Sequence, residues 1–554
     1  MKWYGWGNEN IPDSIMKNEG FWSFNEKFFG RTKEHFILKP EKNVKINESN
    51  ISSRFLKKLS VIISPERITQ DEDIRLEHAA GRRAVDMIKL REGHSFKAPD
   101  LVVYPNSSEE IKEILQLAEE YDIKIIPFGG GTNVVCSIEV DENYPNGVVT
   151  LDMKEMNRLV SLDKKNMQAR FECGILGPEL EKKLNAHGLS FGHFPDSFEF
   201  STLGGWIATR SSGAQSDGYG NIEDLVVALD LITPIGKMST INVARQSIGP
   251  ELKQIVFGSE GILGIITEAE LKIHEIPEEE VHIFLFPDFL SGAFAIQEAN
   301  QHLLKPSIMR LSDAEETKLI MSLKQHKSNA MRKFFQKKLL QTLEVLKKKS
   351  YKHPCFSLIG FTGPATARRG LVAQTKKIFK KYGAIDLGQK LTKDWTKMRF
   401  DYPYVLDIAL GLGLAGDIAE TCISWTNLES FYNEVVKTIK PLMQSLGMEG
   451  YLGCHLSHSY RNGACLYFTY GTYIPGQDRN EFIYKIKNVF MDIVMKYGGA
   501  VSHHHAVGTE HLPWVEKVLD DTSIATLISI KNTLDPKNIL NPGKLIPERK
   551  AKWL

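Results

Sequence analysis

Three consecutive histidines, His503, His504 and His505, lie inside the stretch "GGAVSHHHAVGTE" that runs from Gly498 to Glu510. Imidazole titrates near neutral pH, so such a run can move protons, bind an anion or ligate a metal. Its internal position within patterned sequence excludes a purification tag. On an extended segment successive side chains point to opposite faces, so the three do not close easily on one ion, and the expectation is no metal. Two of them facing one way would offer donors to an anionic substrate. A polar turn fits the same triplet equally well on its own. His455 and His458 form an HxxH pair, a weak zinc signal without a nearby carboxylate. The second chemical feature is the glycine run Gly129–Gly131 in "PFGGGTNV". Backbone N–H groups without a Cβ barrier can approach a phosphate closely. The run is neither a Walker loop nor GxGxxG. Two further glycine turns follow, in "PDSFEFSTLGGWIATRSSG" (Pro195–Gly213) and "GSEGILGIITEAELKI" (Gly258–Ile273), the first flanked by hydroxyls.

The elements that must position these groups read as a mixture of strands and helices. "PDLVVYPNS" is a strand closed by a turn, and "SSEEIKEILQLAEEYD" is a helix capped by Ser107 or Ser108. "IKIIPFGGGTNV" is then a buried strand entering the glycine loop, which makes an α/β unit. "GVVTLDM", "LVVALDLITPIG" and "ILGIITEAELKIHEI" are β-rich. The organisation expected is an N-terminal, partly helical extension (1–96), a first domain (97–277), a second (278–495) with strands such as "VHIFLFP" and "CFSLIGF" beside charged helices, and a C-terminal segment (496–554). The 554 residues are 42% apolar and 25% charged, enough for a large core. A net charge of +1 gives no reason to expect nucleic acid. Six scattered cysteines without a CxxC pair read as a reduced, intracellular protein. No apolar run is long enough to cross a bilayer. Residues 321–353 hold ten Lys or Arg against one acid, Glu344, so that segment is either a solvated helix or one that rests on an anionic membrane.

The order of the glycine turns, with "YGNIEDLVVALDLITPIGK" between them and the "NPGKL" close, resembles the FAD-binding half of the vanillyl-alcohol oxidase (PCMH-type) flavoprotein family. The resemblance implies an α+β fold, two α/β subdomains holding FAD with an α+β cap domain, and a C-terminal segment returning to the flavin. In such a fold FAD is lined by Pro127, Phe128, Gly129, Gly130, Gly131, Thr132 and Asn133. Asp196, Ser197, Ser201, Thr202, Thr209, Arg210, Ser211 and Ser212 follow, and then Glu260, Gly261, Leu263, Gly264 and Ile266. His193 is a flavin-side residue in the same sense. The first loop carries no His or Cys, so the flavin is expected to be non-covalent.

Within that family the stretches "KWYGWG", "GHFPDSFEFSTLGGW", "KPSIMRLSD", "GACLYF", "SHHHAVG" and "LDPKNIL" are similar to the alkyldihydroxyacetonephosphate synthases. That resemblance implies exchange of the acyl group of acyl-dihydroxyacetone phosphate for a long-chain fatty alcohol through a flavin N5 adduct, with no net redox change. It implies Tyr467 as the group moving the C1 proton, His503, His504 and His505 around the substrate phosphate, and Arg310 as a residue needed for activity. A phenol of ordinary pKa near 10 must be tuned for that task by cationic or hydrogen-bonding neighbours. A homodimer is implied as well, peroxisomal in a eukaryote and cytoplasmic in a bacterium. One position departs: where the family has an arginine before the aspartate of "PYVLDIAL", this chain has Leu406, losing five donors and a charge. Arg399 or Arg461 would have to take over, or the substrate differs. A D-2-hydroxy acid dehydrogenase on the same fold, and a catalytically impaired membrane-associated homologue, remain alternatives.

Overall fold

The computed structural model describes residues 1–7, 10–140, 144–323, 351–389, 400–401, 403–446 and 450–547. Most of the basic segment 321–353, and Arg399, lie outside the described residues. Strands Leu101–Val103, Val148–Asp152 and Lys124–Phe128 pair in parallel, with a short antiparallel strand Ile68–Thr69 at the edge. Helix Ser108–Tyr121 packs on them; Ser107 is its cap, its side chain accepting from the Glu110 N–H at 3.2 Å. A second, five-stranded sheet carries Val226–Thr233 and Ile265–Lys272 at its centre. It is antiparallel throughout and, beside the parallel first sheet, fits the α+β fold expected.

Past the glycine turns the chain builds a seven-stranded antiparallel sheet. Four of its strands matter for the site: Ile308–Ser312, Ala415–Ser424, Tyr451–Ser459 and Gly463–Thr472. Helices Phe289–Gln301, Trp425–Leu446 and Arg479–Lys496 cover one face and bury Phe431, Phe468 and Phe490. Truncating one such ring in a close-packed core costs about 3–5 kcal/mol. The other face turns toward the glycine loops. Side chains alternate along a strand, so every second residue points there.

The N-terminal extension is not an appendage. Helix Glu19–Phe29 starts at Asn18, whose side chain accepts from the Phe21 N–H at 3.1 Å, and places Phe21, Phe24 and Phe29 against Tyr404, Ile408 and Tyr451. Before it, Lys2 pairs with Asp407 at 2.6 Å, both groups almost fully buried, and Asp407 accepts from the Trp6 N–H at 2.9 Å. Gly5 is required because a Cβ would meet the Asp407 carboxylate at 2.3 Å. At the other terminus, the strand-like run Ile539–Asn541 bonds both sides of Ile125, and Asn541 Nδ2 donates to Ser137 and Glu260 carbonyls.

Removing one partner of a buried ion pair leaves the other charge uncompensated. Asp407→Ala is therefore expected to lower stability by about 3 kcal/mol and to expose residues 1–7 to protease, measured by thermal melting and limited proteolysis.

Candidate active site

A cavity of about 450 Å³ lies between the two glycine-loop sheets and the seven-stranded sheet. That size falls in the range of small-molecule and cofactor sites, about 300–1,000 Å³. Its floor is the glycine loop. A Cβ on Gly129 would meet Thr202 Oγ1 at 2.2 Å and one on Gly130 would meet the Phe200 carbonyl at 1.7 Å; Gly131 has φ +64°. At the first two positions the missing Cβ therefore makes room for the chain's own backbone and hydroxyl, and only through that packing for a ligand. Pro127 to Asn133, Asp196, Ser197, Ser201, Thr202, Thr209, Ser211, Ser212, Gly261, Gly264 and Ile266 line the cavity.

Three expected cofactor residues are placed elsewhere. His193 is buried behind Ser211, its Nε2 3.2 Å from the hydroxyl, and burial lowers its pKa to about 3. Arg210 is half-exposed, its backbone left-handed at φ +52°, and faces Glu223. Leu263 is buried in the protein. Glu260 reaches the cavity wall, but its carboxylate accepts from the N–H groups of Val507 and Gly508, both at 2.7 Å, and from Ser137 Oγ at 2.8 Å.

The roof is set by strand register. Glu420, Tyr467 and His455 are directly opposite one another on three neighbouring strands, so they share one face. Arg310 is on the next strand and donates to Glu316 Oε1 at 2.9 Å, with His455 Nδ1 3.2 Å away. His455 and His458, three apart, would fall on opposite faces of a regular strand. A bulge between Leu456 and His458 breaks the alternation and lets both reach the cavity.

Glu420, which the sequence reading missed, organises the histidine run. Its carboxylate accepts from Ser502 Oγ at 2.7 Å and from the N–H groups of His503, His504 and His505 at 2.8–3.3 Å. The run is thus a tight loop wrapped around an anion and not an extended strand. His504 and His505 line the cavity; His503 turns away, its Nδ1 2.9 Å from His504 Nδ1 and its Nε2 2.5 Å from the Tyr460 hydroxyl. Tyr467 stacks on His455 at 4.8 Å and meets His505 edge-on at 5.4 Å.

The electrostatics follow from burial. Desolvation lowers the pKa of His503, His504 and His505, and Glu420 only partly offsets this. They are neutral bases near pH 7. Glu420 itself is buried, yet the imidazoles and the Ser502 hydroxyl hold its pKa far down. Tyr467 is pushed well up by burial, then by Asp196, Glu420 and Asp417, with Arg310 opposing. Against the expectation of a phenol tuned by cationic neighbours, burial here favours its protonated form. His458, Cys465, His503 and His504 bring ligand atoms within 4.8 Å of one another. Both His458 nitrogens have protein partners, Ser457 Oγ at 3.0 Å and the Gly213 carbonyl at 3.1 Å.

Apolar side chains also line the cavity, among them Phe21, Phe24, Phe29, Phe400, Leu406 and Leu414. The aromatic residues of the N-terminal helix were not anticipated as part of the site; their helical spacing in "FWSFNEKFF" was the available signal. Arg461 is exposed at a strand turn and does not line the cavity.

Comparison with known proteins places this geometry. The family model for FAD linked oxidases, C-terminal domain, matches residues 276–545, and that for the FAD binding domain matches residues 99–242. The chain is 39% identical to the alkyldihydroxyacetonephosphate synthase of Dictyostelium discoideum over 92% of its length and 83% of that protein. It is 32% identical to the enzyme of the same name from Trypanosoma brucei brucei, over 99% and 92%. The chain belongs to the alkyldihydroxyacetonephosphate synthase family. A solved alkyldihydroxyacetonephosphate synthase superposes with a TM-score of 0.81 at 34% identity, covering 98% of this chain and 99% of that one. p-Cresol methylhydroxylase, at 13% identity over 89% and 97%, shares the fold with a TM-score of 0.66. As in this FAD-dependent family, the cofactor is FAD. The cavity suits it: its glycine floor lies against loops bearing hydroxyls, and Asn133 Nδ2 is a buried donor with no partner among the described residues. Among the described residues no helix is long and apolar enough to cross a membrane.

Gly130→Ala is expected to yield protein that takes up no flavin, read as loss of absorbance near 450 nm, because its Cβ has no room beside Phe200. Glu420→Gln removes the charge that raises the imidazole pKa values. Since the neutral form is the base, the acid limb of the pH–rate profile, already below the ordinary histidine pKa of 6.5, should move to still lower pH, with overall rate reduced about 100-fold.

Proposed function

We propose that the chain makes the ether bond of ether lipids, converting acyl-dihydroxyacetone phosphate and a long-chain alcohol into alkyl-dihydroxyacetone phosphate and a fatty acid. The observation that carries this reading is a single cavity lined both by imidazoles, a phenol and arginines and by aromatic and aliphatic side chains. The ester C–O bond at C1 breaks and the alcohol's C–O bond forms; the alcohol proton leaves on the fatty acid, so electrons balance without an oxidant. Pro127–Asn133, Asp196–Thr202 and Ser211–Ser212 hold FAD, non-covalently, since residues 127–133 include no His or Cys. When bound, FAD supplies the nucleophilic ring nitrogen at which carboxylate and alcohol are exchanged.

The protein's part is proton transfer and placement. His504 or His505, neutral and fixed by Glu420, accepts the C1 proton beside the carbonyl, and Tyr467, still protonated and stacked between imidazoles, relays it. Arg310 holds Glu316 and His455 in place behind that phenol. The Phe21, Phe24 and Phe400 wall takes the alkyl and acyl chains, each buried CH₂ contributing about 0.8 kcal/mol. Residues 97–277 serve as the FAD domain, 278–495 as the cap and 496–554 as the strap between them. The homodimer and a membrane-facing role for basic residues 321–353 belong to the same reading.

Purified protein incubated with palmitoyl-dihydroxyacetone phosphate and hexadecanol should give the hexadecyl ether. Tyr467→Phe should lower that rate by about 10²–10⁴-fold while the flavin absorbance is kept. Full activity in this variant would remove Tyr467 from proton transfer. Reduction of the flavin by D-lactate would favour the dehydrogenase reading instead.

A further inference from the structure

Among the described residues, two guanidinium groups line the cavity. Arg310 is neutralised by Glu316, at 2.9 Å, whose carboxyl is held down to about 2 by His455 and Arg310 against burial. Arg82 differs. It is 2% exposed, and its terminal nitrogens donate only to carbonyls, those of Ala80, Gly81 and Lys2, at 2.7–3.1 Å. Among the described residues its Nε–H has no partner and no carboxylate pairs with it. Burial lowers its pKa to about 10, still charged at neutral pH, with Asp407 the leading attraction at longer range. Asp407 itself is already engaged by Lys2 and the Trp6 N–H. A buried, unpaired cation is expensive unless a ligand supplies the anion.

The backbone fixes where that cation sits. The Arg82 N–H donates to the Asn133 carbonyl at 2.6 Å, and Gly81 packs so closely on Asn133 that a Cβ would meet its carbonyl at 2.3 Å. Leu406, next to Asp407, lines the same cavity with a side chain that can bind no anion. We infer that Arg82 binds the phosphate of the acyl-dihydroxyacetone phosphate substrate, supplying the positive charge that Leu406 does not. This rests on the proposed reaction. The alternative source of the same chemistry is the pyrophosphate of FAD, and the two are separable.

The test compares palmitoyl-dihydroxyacetone phosphate with palmitoyl-dihydroxyacetone, which lacks the phosphate, on the flavin-loaded enzyme. Arg82→Met should raise KM for the phosphorylated ester at least about tenfold, the scale of one charged hydrogen bond. KM for the unphosphorylated ester and flavin content should stay unchanged. Adding Leu406→Arg to Arg82→Met should restore much of the discrimination, which guards against a merely unstable variant. Loss of flavin with discrimination retained would assign Arg82 to the cofactor and overturn the inference, as would unchanged KM. If wild type forms no ether from either ester, the proposed reaction fails. Calorimetric titration of the holoenzyme with glycerol phosphate then decides Arg82: binding by wild type and not by Arg82→Met supports it, and equal binding or none overturns it.

Discussion

Two buried carboxylates grip one loop, and the site depends on that grip. Glu420 collects the N–H groups of His503 to His505 from the seven-stranded sheet, and Glu260 collects those of Val507 and Gly508 from the turn before the five-stranded sheet's strand Ile265–Lys272. Backbone donors of an irregular loop need partners when buried, and a carboxylate can take several at once. The loop is thereby stretched between the two halves of the molecule, with two imidazoles aimed into the cavity and a third locked against Tyr460. Glu260 and Glu420 are shifted in opposite directions. Burial pushes Glu260 up although its backbone bonds oppose this, whereas the histidines around Glu420 pull it down.

Charge around the cavity follows the same rule. Glu316, which lines it, is tied to Arg310 and His455, and behind the lining Asp407 is tied to Lys2 and Glu420 to the histidine loop. Imidazoles are desolvated and neutral, and the phenol is desolvated and protonated. Burial thus favours the neutral form of both kinds of group, imidazole and phenol. Arg82 adds a buried guanidinium to the lining, and the N-terminal helix adds Phe21, Phe24 and Phe29.

Much of this was legible in the sequence. The strand–helix–strand unit before Gly129 carried a Ser cap and period-3.6 burial, and it formed as read. The glycine turns, "GACLYF" and "SHHHAVG" do meet at one cavity. What was hidden depended on partners distant in sequence. Nothing local marks Glu420 as the anchor of residues 82–85 positions later, because only strand pairing with Tyr467 brings it there. The bulge that lets His455 and His458 share a face has no signature in "CHLSHS". Arg210 sits in a hydroxyl-rich stretch that suggests contact, yet it caps a helix in the left-handed conformation and points outward. The N-terminal aromatics looked like an extension until their tertiary partners, Tyr404 and Tyr451, were seen.

The central claim is that the histidine loop presents neutral imidazoles beside a protonated Tyr467. Nitrogen-15 NMR of histidine-labelled holoenzyme at pH 6, assigned through single His504→Gln and His505→Gln variants, tests it most directly. The account predicts neutral imidazole shifts, one protonated and one bare nitrogen per ring, at both positions. Imidazolium shifts at either of them would contradict it.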